Sequence, residues 1–110
     1  MDKVTFEDFS KIDFRVGTII SVEPFTKVIK PAYKLKIDFG ELGILKSSAQ
    51  ITYRYSTEDL INKQVIAVVN FPKKQIANFI SECLVLGAVN EKDVILISPE
   101  DTVMNGLRIH

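Results

Sequence analysis

The sequence predicts an all-β protein with short helices, folded as a small closed or partly open barrel. Several short segments alternate apolar and polar residues with the period of a strand. Glycine, proline or asparagine separates these segments, as expected for turns. The chain has 110 residues, of which 46% are hydrophobic and 25% charged, so it can bury a core without a disulfide or metal.

The first twelve residues are expected to form a helical segment ahead of the barrel. Thr5 can cap a helix, Asp8 lies three residues further on, and Phe6 and Phe9 are spaced to share one face. Pro99 and the Asn-Gly pair at 105–106 punctuate residues 99–110, which we interpret as a C-terminal extension. Together, residues 1–110 are predicted to form a single domain.

The strand pattern is clearest in two places. From Phe14 to Glu23 alternate residues are apolar, and Gly17 within this run indicates a bulge or bend. Residues 33–39 alternate again, which places Lys34 and Lys36 on the outward face. Further strands are expected at about 44–48, 64–70, 82–88 and 94–98, and Ser56 is a possible cap for a helical turn within 51–60.

Five or more short strands in a chain of this length favour the five-stranded oligonucleotide-binding (OB) barrel. A small sandwich would give a similar pattern, so the number of strands alone leaves both architectures open.

Two apolar runs, 65–69 and 81–87, flank a connection with an unusual composition. Asn70, Phe71, Pro72, Lys73 and Lys74 follow the first run, and proline ends that strand because it lacks a backbone donor. A small cationic, hydrogen-bonding surface on a rigid support is therefore expected here. It indicates a binding module for an anionic partner.

The charge balance and the side-chain inventory exclude several function classes. Lysine plus arginine and aspartate plus glutamate both number 14, which disfavours nonspecific duplex binding but allows a local basic patch. The only histidine is His110, and no glycine-rich phosphate loop is present, so we expect neither catalysis, nor a metal, nor a cofactor. Cys83 is interpreted as a buried small hydrophobe. Without a signal-like or membrane-length apolar run, a cytoplasmic protein that does not insert into membranes is expected.

Eight segments of the chain together carry a family resemblance, namely residues 12–19, 34–40, 47–52, 60–72, 76–77, 81–82, 84–87 and 105–106. Through these segments nearly the whole chain resembles the tRNA-binding-domain family in its stand-alone form, and within it the CsaA-type export-related chaperones. The resemblance implies an OB barrel that forms a homodimer and binds tRNA by shape at its outer corner. For the CsaA-type branch it also implies binding of unfolded or preprotein chains during secretion. The chain departs from the family pattern at Gln75, where a basic residue is usual, and at Ile80.

The candidate RNA-binding residues come from two places, the segment that begins at Asn70 and the outward lysines of the strands. They are Asn70, Lys73, Lys74, Ser81, Glu82, Lys34, Lys36 and Lys46. The lysines can neutralise phosphates, although outward lysines often serve only solubility. Asn70 can read a base edge or ribose hydroxyl, or it can tie the loop to its own backbone. Glu82 is expected to pair with a lysine or to orient the loop.

Two further alternatives stay open at this point. The residues Tyr53, Arg54 and Tyr55 form either a stacking cluster or a turn that covers the barrel mouth. In addition, the partner is tRNA or, in a rival hypothesis, an unfolded polypeptide that a dimeric chaperone holds in apolar grooves. In a third hypothesis the domain only docks onto a synthetase or a secretion protein. The apolar residues surplus to a barrel are candidates for the dimer contact, namely Phe6, Phe9, Val103, Leu107 and Ile109.

Overall fold

The computed structural model describes all 110 residues and consists mostly of strands. The helices are α1 (Phe6–Ser10) and α2 (Thr57–Leu60). The strands are β1 (Phe14–Phe25), β2 (Ala32–Asp38), β3 (Ile44–Ala49), β4 (Gln64–Val68), β5 (Lys74–Ile76), β6 (Phe79–Ser81), β7 (Leu84–Val85), β8 (Gly87–Asn90), β9 (Asp93–Leu96) and β10 (Arg108–Ile109). None of the helices has the length and apolar composition that crossing a bilayer requires.

Five antiparallel strands form a strongly curled sheet in the order β3-β2-β1-β4-β7. The long strand β1 pairs with β4 along its first half and with β2 along its second half, and β10 extends the sheet at Phe14. The carbonyl of Lys46 in β3 accepts hydrogen bonds from the amides of Glu82 and Cys83, just before β7. These contacts link the two ends of the sheet, so the predicted OB-type barrel is confirmed.

The core lies inside the barrel and draws heavily on β2. Leu35, Ile37 and Phe39 have no exposed surface, as the alternation in residues 33–39 predicted. Eleven buried side chains form one cluster: Ile19, Tyr33, Leu35, Ile37, Phe39, Ile51, Leu60, Val65, Ala67, Cys83 and Leu96. Lys34 and Lys36 accordingly point away from this core, and Lys36 is exposed.

Gly17 predicted a bulge or bend in β1, and the bulge lies three residues further along the strand. The register between β1 and β2 shifts between Ile19 and Ser21, so Ile20 is the extra residue and is exposed while Ile19 is buried. Gly17 instead marks a close approach, because a Cβ there would lie 2.6 Å from Ile37 Cγ2 and from Phe39 Cε1. Both a bulge and a crowded position favour glycine, and the sequence pattern does not distinguish them.

Both predicted helix caps are confirmed. Thr5 Oγ1 accepts a hydrogen bond of 3.0 Å from the Asp8 amide at the start of α1. Ser56 and Asp59 form a reciprocal capping box at α2. The hydrogen bonds that Asp59 shares with Ser56 lower the pKa of the Asp59 carboxyl.

The prediction is least accurate between residues 69 and 90. The strand predicted at 64–70 ends at Val68, and that predicted at 82–88 is divided into β7 and β8. The backbone of residues 82–83 is used to close the barrel onto β3, which removes it from the strand. The connection that follows Pro72 is ordered as a hairpin, β5–β6, and Lys74 is its first strand residue.

Candidate functional site

The β5–β6 hairpin lies against the barrel through one aromatic contact. Phe79 of β6 meets the buried Phe25 at the end of β1, with ring centroids 5.5 Å apart and planes inclined by 65°. Ala77 has a positive φ of 52° at the hairpin turn. The pairing sets Lys74 opposite Ser81 and Gln75 opposite Ile80. The sequence-predicted residues Lys74 and Ser81 are therefore neighbours across a two-stranded ribbon.

Three of the candidate residues line one shallow pocket beside this hairpin. Lys74, Ser81 and Glu82 form its polar side, in a volume of about 220 Å³. The exposed side chains of Phe71 and Leu84 form much of its apolar side. The pocket thus combines one ammonium group, one hydroxyl and one carboxylate with an apolar floor.

The three outward lysines of the barrel lie on the same side of the molecule as Phe79. Lys36 of β2 is paired directly with Lys46 of β3. The Lys46 Nζ lies 5.4 Å from the centre of the Phe79 ring, and the Lys34 Nζ lies 6.0 Å from it. These are cation–π distances, which hold the ammonium groups near the hairpin. Lys34 also forms an ion pair of 3.6 Å with Glu23.

Glu82 connects the pocket to the lysines. Its Oε1 accepts a hydrogen bond of 3.0 Å from the Lys46 amide, and its Oε2 lies 3.6 Å from Lys73 Nζ. The Glu82 side chain is 19% exposed, whereas that of Lys73 is 71% exposed. The expectation that Glu82 pairs with a lysine is confirmed, and the carboxylate also satisfies a backbone donor at the barrel closure.

We define the hairpin face as the set of side chains that these contacts bring together. It consists of Lys34, Lys36, Lys46, Lys73, Lys74, Phe79, Ser81 and Glu82. Seven of the eight sequence-predicted site residues belong to it. The eighth, Asn70, does not.

Asn70 is engaged elsewhere, at the junction between α1 and β1. Its Oδ1 accepts a hydrogen bond of 2.9 Å from the Asp13 amide, and its Nδ2 donates one of 2.7 Å to the Lys11 carbonyl. The side chain therefore ties the end of β4 to a segment almost sixty residues earlier, and not to its own loop. A contact between Asn70 and RNA stays a prediction, without support from this geometry.

Sequence reasoning missed Phe79 as a member of the site. Tyr33 and Phe39 were correctly assigned to the apolar face, and both are buried. Phe79 is half-buried, and two ammonium groups lie within about 6 Å of its ring because the hairpin folds back onto β2 and β3. The only local signal was its position two residues before Ser81.

The single cysteine, Cys83, lines the pocket beside the hairpin face and is a poor nucleophile. Burial raises the pKa of the Cys83 thiol to about 12, so the reactive thiolate is scarce at neutral pH. Nowhere do three histidine, cysteine, aspartate or glutamate side chains gather as metal ligands would. The arrangement offers ammonium groups, a hydroxyl and aromatic surface, which suit noncovalent binding of an anion.

Comparison with known proteins identifies the class to which this architecture belongs. The profile of the family described as "Putative tRNA binding domain" matches residues 14–108, which include both the barrel and the hairpin face. The chain belongs to this tRNA-binding domain family.

Two solved structures are especially similar over their whole length. The chaperone CsaA from Bacillus anthracis is 52% identical with a TM-score of 0.96, over 99% of this chain and all of that one. The CsaA chaperone protein from Picrophilus torridus is 57% identical with a TM-score of 0.93, over 98% and 100%. The resemblance to CsaA-type proteins is thus confirmed.

Curated relatives include much longer proteins. A methionine–tRNA ligase from Methanococcoides burtonii is 37% identical over 110 residues, which is 99% of this chain. The chain spans only 16% of the length of that ligase. The similarity to the ligase therefore concerns one portion of that enzyme.

Proposed function

We propose that this protein is a non-catalytic tRNA-binding protein of the CsaA type, which recognises tRNA through phosphate contacts and overall shape. The observation that carries the proposal is the convergence of five lysines on the hairpin face, in a member of the tRNA-binding domain family. Lys73 and Lys74 extend from the hairpin, and Lys34, Lys36 and Lys46 extend from the barrel. We place this activity in the cytoplasm.

The charge of the hairpin face reconciles RNA binding with a net charge of zero. The five ammonium groups of the hairpin face are accompanied by two carboxylates, that of Glu82 on the face and that of Glu23, which pairs with Lys34. The local balance is thus three positive charges, and the acidic residues that offset them lie elsewhere. Ammonium groups act as point charges and suit phosphates whose positions are set by the fold of the RNA.

The test is a fluorescence-anisotropy titration of tRNA at low and at fourfold higher salt. With about four phosphates neutralised, affinity should fall roughly 50- to 150-fold over that range. The variant Lys73→Ala/Lys74→Ala is expected to lose tRNA binding while its circular dichroism and sedimentation stay unchanged. Unchanged tRNA binding by this variant would refute the site, and absence of binding by the parent protein would refute the function.

A second candidate function is a dimeric chaperone that binds unfolded or preprotein segments in protein secretion, with little RNA affinity. The hairpin face is bordered by exposed apolar side chains, among them Phe71, Ile80 and Leu84. Exposed Gln75 and Ile80 replace polar or basic residues of the family, and the similar solved structures are named as chaperones. Slowed aggregation of a denatured client, insensitive to salt and to competing tRNA, would favour this candidate over the first.

We further propose a homodimer that uses the apolar patch of the two chain ends. Phe6 is 80% exposed, and it stacks near Phe9, which in turn meets Phe14. Ile109 belongs to the adjacent strand β10, and Leu107 directly precedes that strand. Arg108 holds the two ends together, because its guanidinium donates a hydrogen bond of 3.0 Å to the Ser10 carbonyl. A dimer would present two hairpin faces to one RNA and raise avidity.

Phe6→Glu is expected to convert the dimer to monomers, because a charge in an apolar contact loses its hydration. Sedimentation velocity measures this directly. The control is Ile29→Glu, which changes a fully exposed side chain outside the patch. A dimer that persists in Phe6→Glu would refute this interface.

A further inference from the structure

A second depression, separate from the hairpin face, lies next to the residues that follow β3. It has a volume of about 600 Å³. Its lining comes from three segments: the β1–β2 connection, the residues after β3, and the β8–β9 hairpin. The residues are Lys30, Pro31, Gln50, Thr52, Tyr53, Val89, Glu91, Lys92 and Val94. We call this depression the Tyr53 cleft, and it shares no residue with the hairpin face.

The tyrosine of this cleft is the feature that points to a ligand. Tyr53 is 60% exposed, whereas Tyr33 is buried and Tyr55 half-buried. The hydroxyls of those two tyrosines are used inside the barrel, where Tyr33 donates to the Tyr55 carbonyl and Tyr55 accepts from the Leu96 amide. Tyr53 is thus the tyrosine whose ring is offered to a ligand, and the Lys92 Nζ lies 5.3 Å from its centre.

The walls of the cleft are held in place before any ligand binds. Arg54, next to Tyr53, forms two hydrogen bonds of 2.8 and 2.9 Å to the carboxylate of Asp93, next to Lys92. The paired guanidinium lowers the pKa of Asp93, so the bridge persists at neutral pH. This fork-to-fork contact fixes the β8–β9 hairpin relative to the tyrosine. A preformed slot reduces the entropy lost on binding.

The charges around the cleft favour an anionic occupant. Lys30 and Lys92 line it together with one carboxylate, Glu91. A neighbouring depression of about 550 Å³ shares Lys30 and Gln50 and adds Lys27. It extends to Ile76 and Ala77 at the turn of the β5–β6 hairpin. Together, the two depressions are lined by three ammonium groups and one carboxylate.

We propose that the Tyr53 cleft binds an unpaired nucleotide of RNA, with the base stacked on Tyr53 and the phosphate between Lys30 and Lys92. An exposed aromatic ring beside ammonium groups is the combination that single-stranded nucleic acid requires. The amide of Gln50 and the hydroxyl of Thr52 can donate and accept hydrogen bonds at a base edge. The apolar walls at Val89 and Val94 suit a planar group. This inference rests on the proposed function, in which RNA is the ligand of the protein. It adds a second site at which the protein contacts RNA.

The test uses the full chain and a fluorescein-labelled single-stranded RNA octamer. Tyr53→Ala is expected to weaken octamer binding roughly 5- to 150-fold, the effect of losing one base–aromatic stack. Tyr53→Phe keeps the ring and should bind within about twofold of the parent protein. Thermal unfolding of both variants is measured first, and an unchanged midpoint is expected because the side chain is exposed.

The outcomes separate this inference from the proposed function. Loss of octamer binding in Tyr53→Ala, with Lys73→Ala/Lys74→Ala still binding the octamer, supports a distinct nucleotide site. If Tyr53→Ala binds the octamer as tightly as the parent protein does, and tRNA still binds, the proposal of a nucleotide site in the Tyr53 cleft is refuted and the proposed function is not. If the parent protein binds neither octamer nor tRNA, both proposals fail. An acidic peptide whose binding requires Tyr53, in the absence of octamer binding, overturns the cleft as an RNA site.

Discussion

Replacing Lys34, Lys36 and Lys46 together by glutamine is expected to weaken tRNA binding roughly 100- to 500-fold at about 0.1 M salt. Each lost phosphate contact removes about 0.7–0.9 from the slope of log affinity against log salt, so three contacts remove about 2–2.7. Glutamine removes the charge and keeps a flexible polar side chain. The measurement is the salt dependence of tRNA anisotropy, for which the slope is more informative than a single affinity.

A matched triple variant distinguishes local charge from total charge. Lys3→Gln/Lys11→Gln/Lys63→Gln changes the net charge by the same three units, yet none of these lysines belongs to the hairpin face. This control is expected to bind tRNA with nearly the parent affinity and slope, since screening limits the reach of exposed charges to about 10 Å. Equal losses of tRNA affinity in both triple variants would mean that the hairpin face has no special role in RNA binding.

The substitution Gly17→Val is expected to destabilise the barrel by about 3 kcal/mol or more, and to lower the unfolding midpoint by roughly 10 °C or more. The smallest possible side-chain atom at this position would already lie 2.6 Å from Ile37 and Phe39. Both of those residues have no exposed surface and are surrounded by the core cluster, so they cannot move aside without strain. Thermal and urea unfolding measure the effect.

Ile20→Val on the same strand is the control. Ile20 is 42% exposed at the bulge, and loss of one methylene there is expected to change stability by less than about 0.5 kcal/mol. If Gly17→Val were as stable as this control, the close packing of β1 against β2 would be wrong. Gly17 does not belong to the hairpin face. Any Gly17→Val protein that remains folded should therefore still bind tRNA.

Features that depend on residues close in sequence were predicted well. The alternation in residues 33–39 identified the buried and outward faces of β2, and Thr5 and Ser56 were identified as caps from short spacing alone. The same local patterns were sufficient for the all-β class. Of the eight candidate site residues, seven lie on the hairpin face and Asn70 does not.

Features that depend on distant contacts were not predictable from local patterns. Gly17 indicated a bulge or bend, but the bulge is at Ile20, because only the register against β2 shows which residue is extra. Asn70 bonds to Lys11 and Asp13, which lie almost sixty residues away. Phe79 became part of the site only when the hairpin folded onto β2 and β3.

Local periodicity therefore established the class of fold, the outward direction of the lysines and the cationic character of the connection after Pro72. Only the tertiary structure produced three other features. They are the closure of the barrel by residues 82–83, the two ammonium groups near the ring of Phe79, and the Tyr53 cleft. The physical reason is that hydrophobic alternation acts between neighbours in sequence. Register, barrel closure and charge clustering are set by side chains that meet only when the curled sheet brings its two ends together.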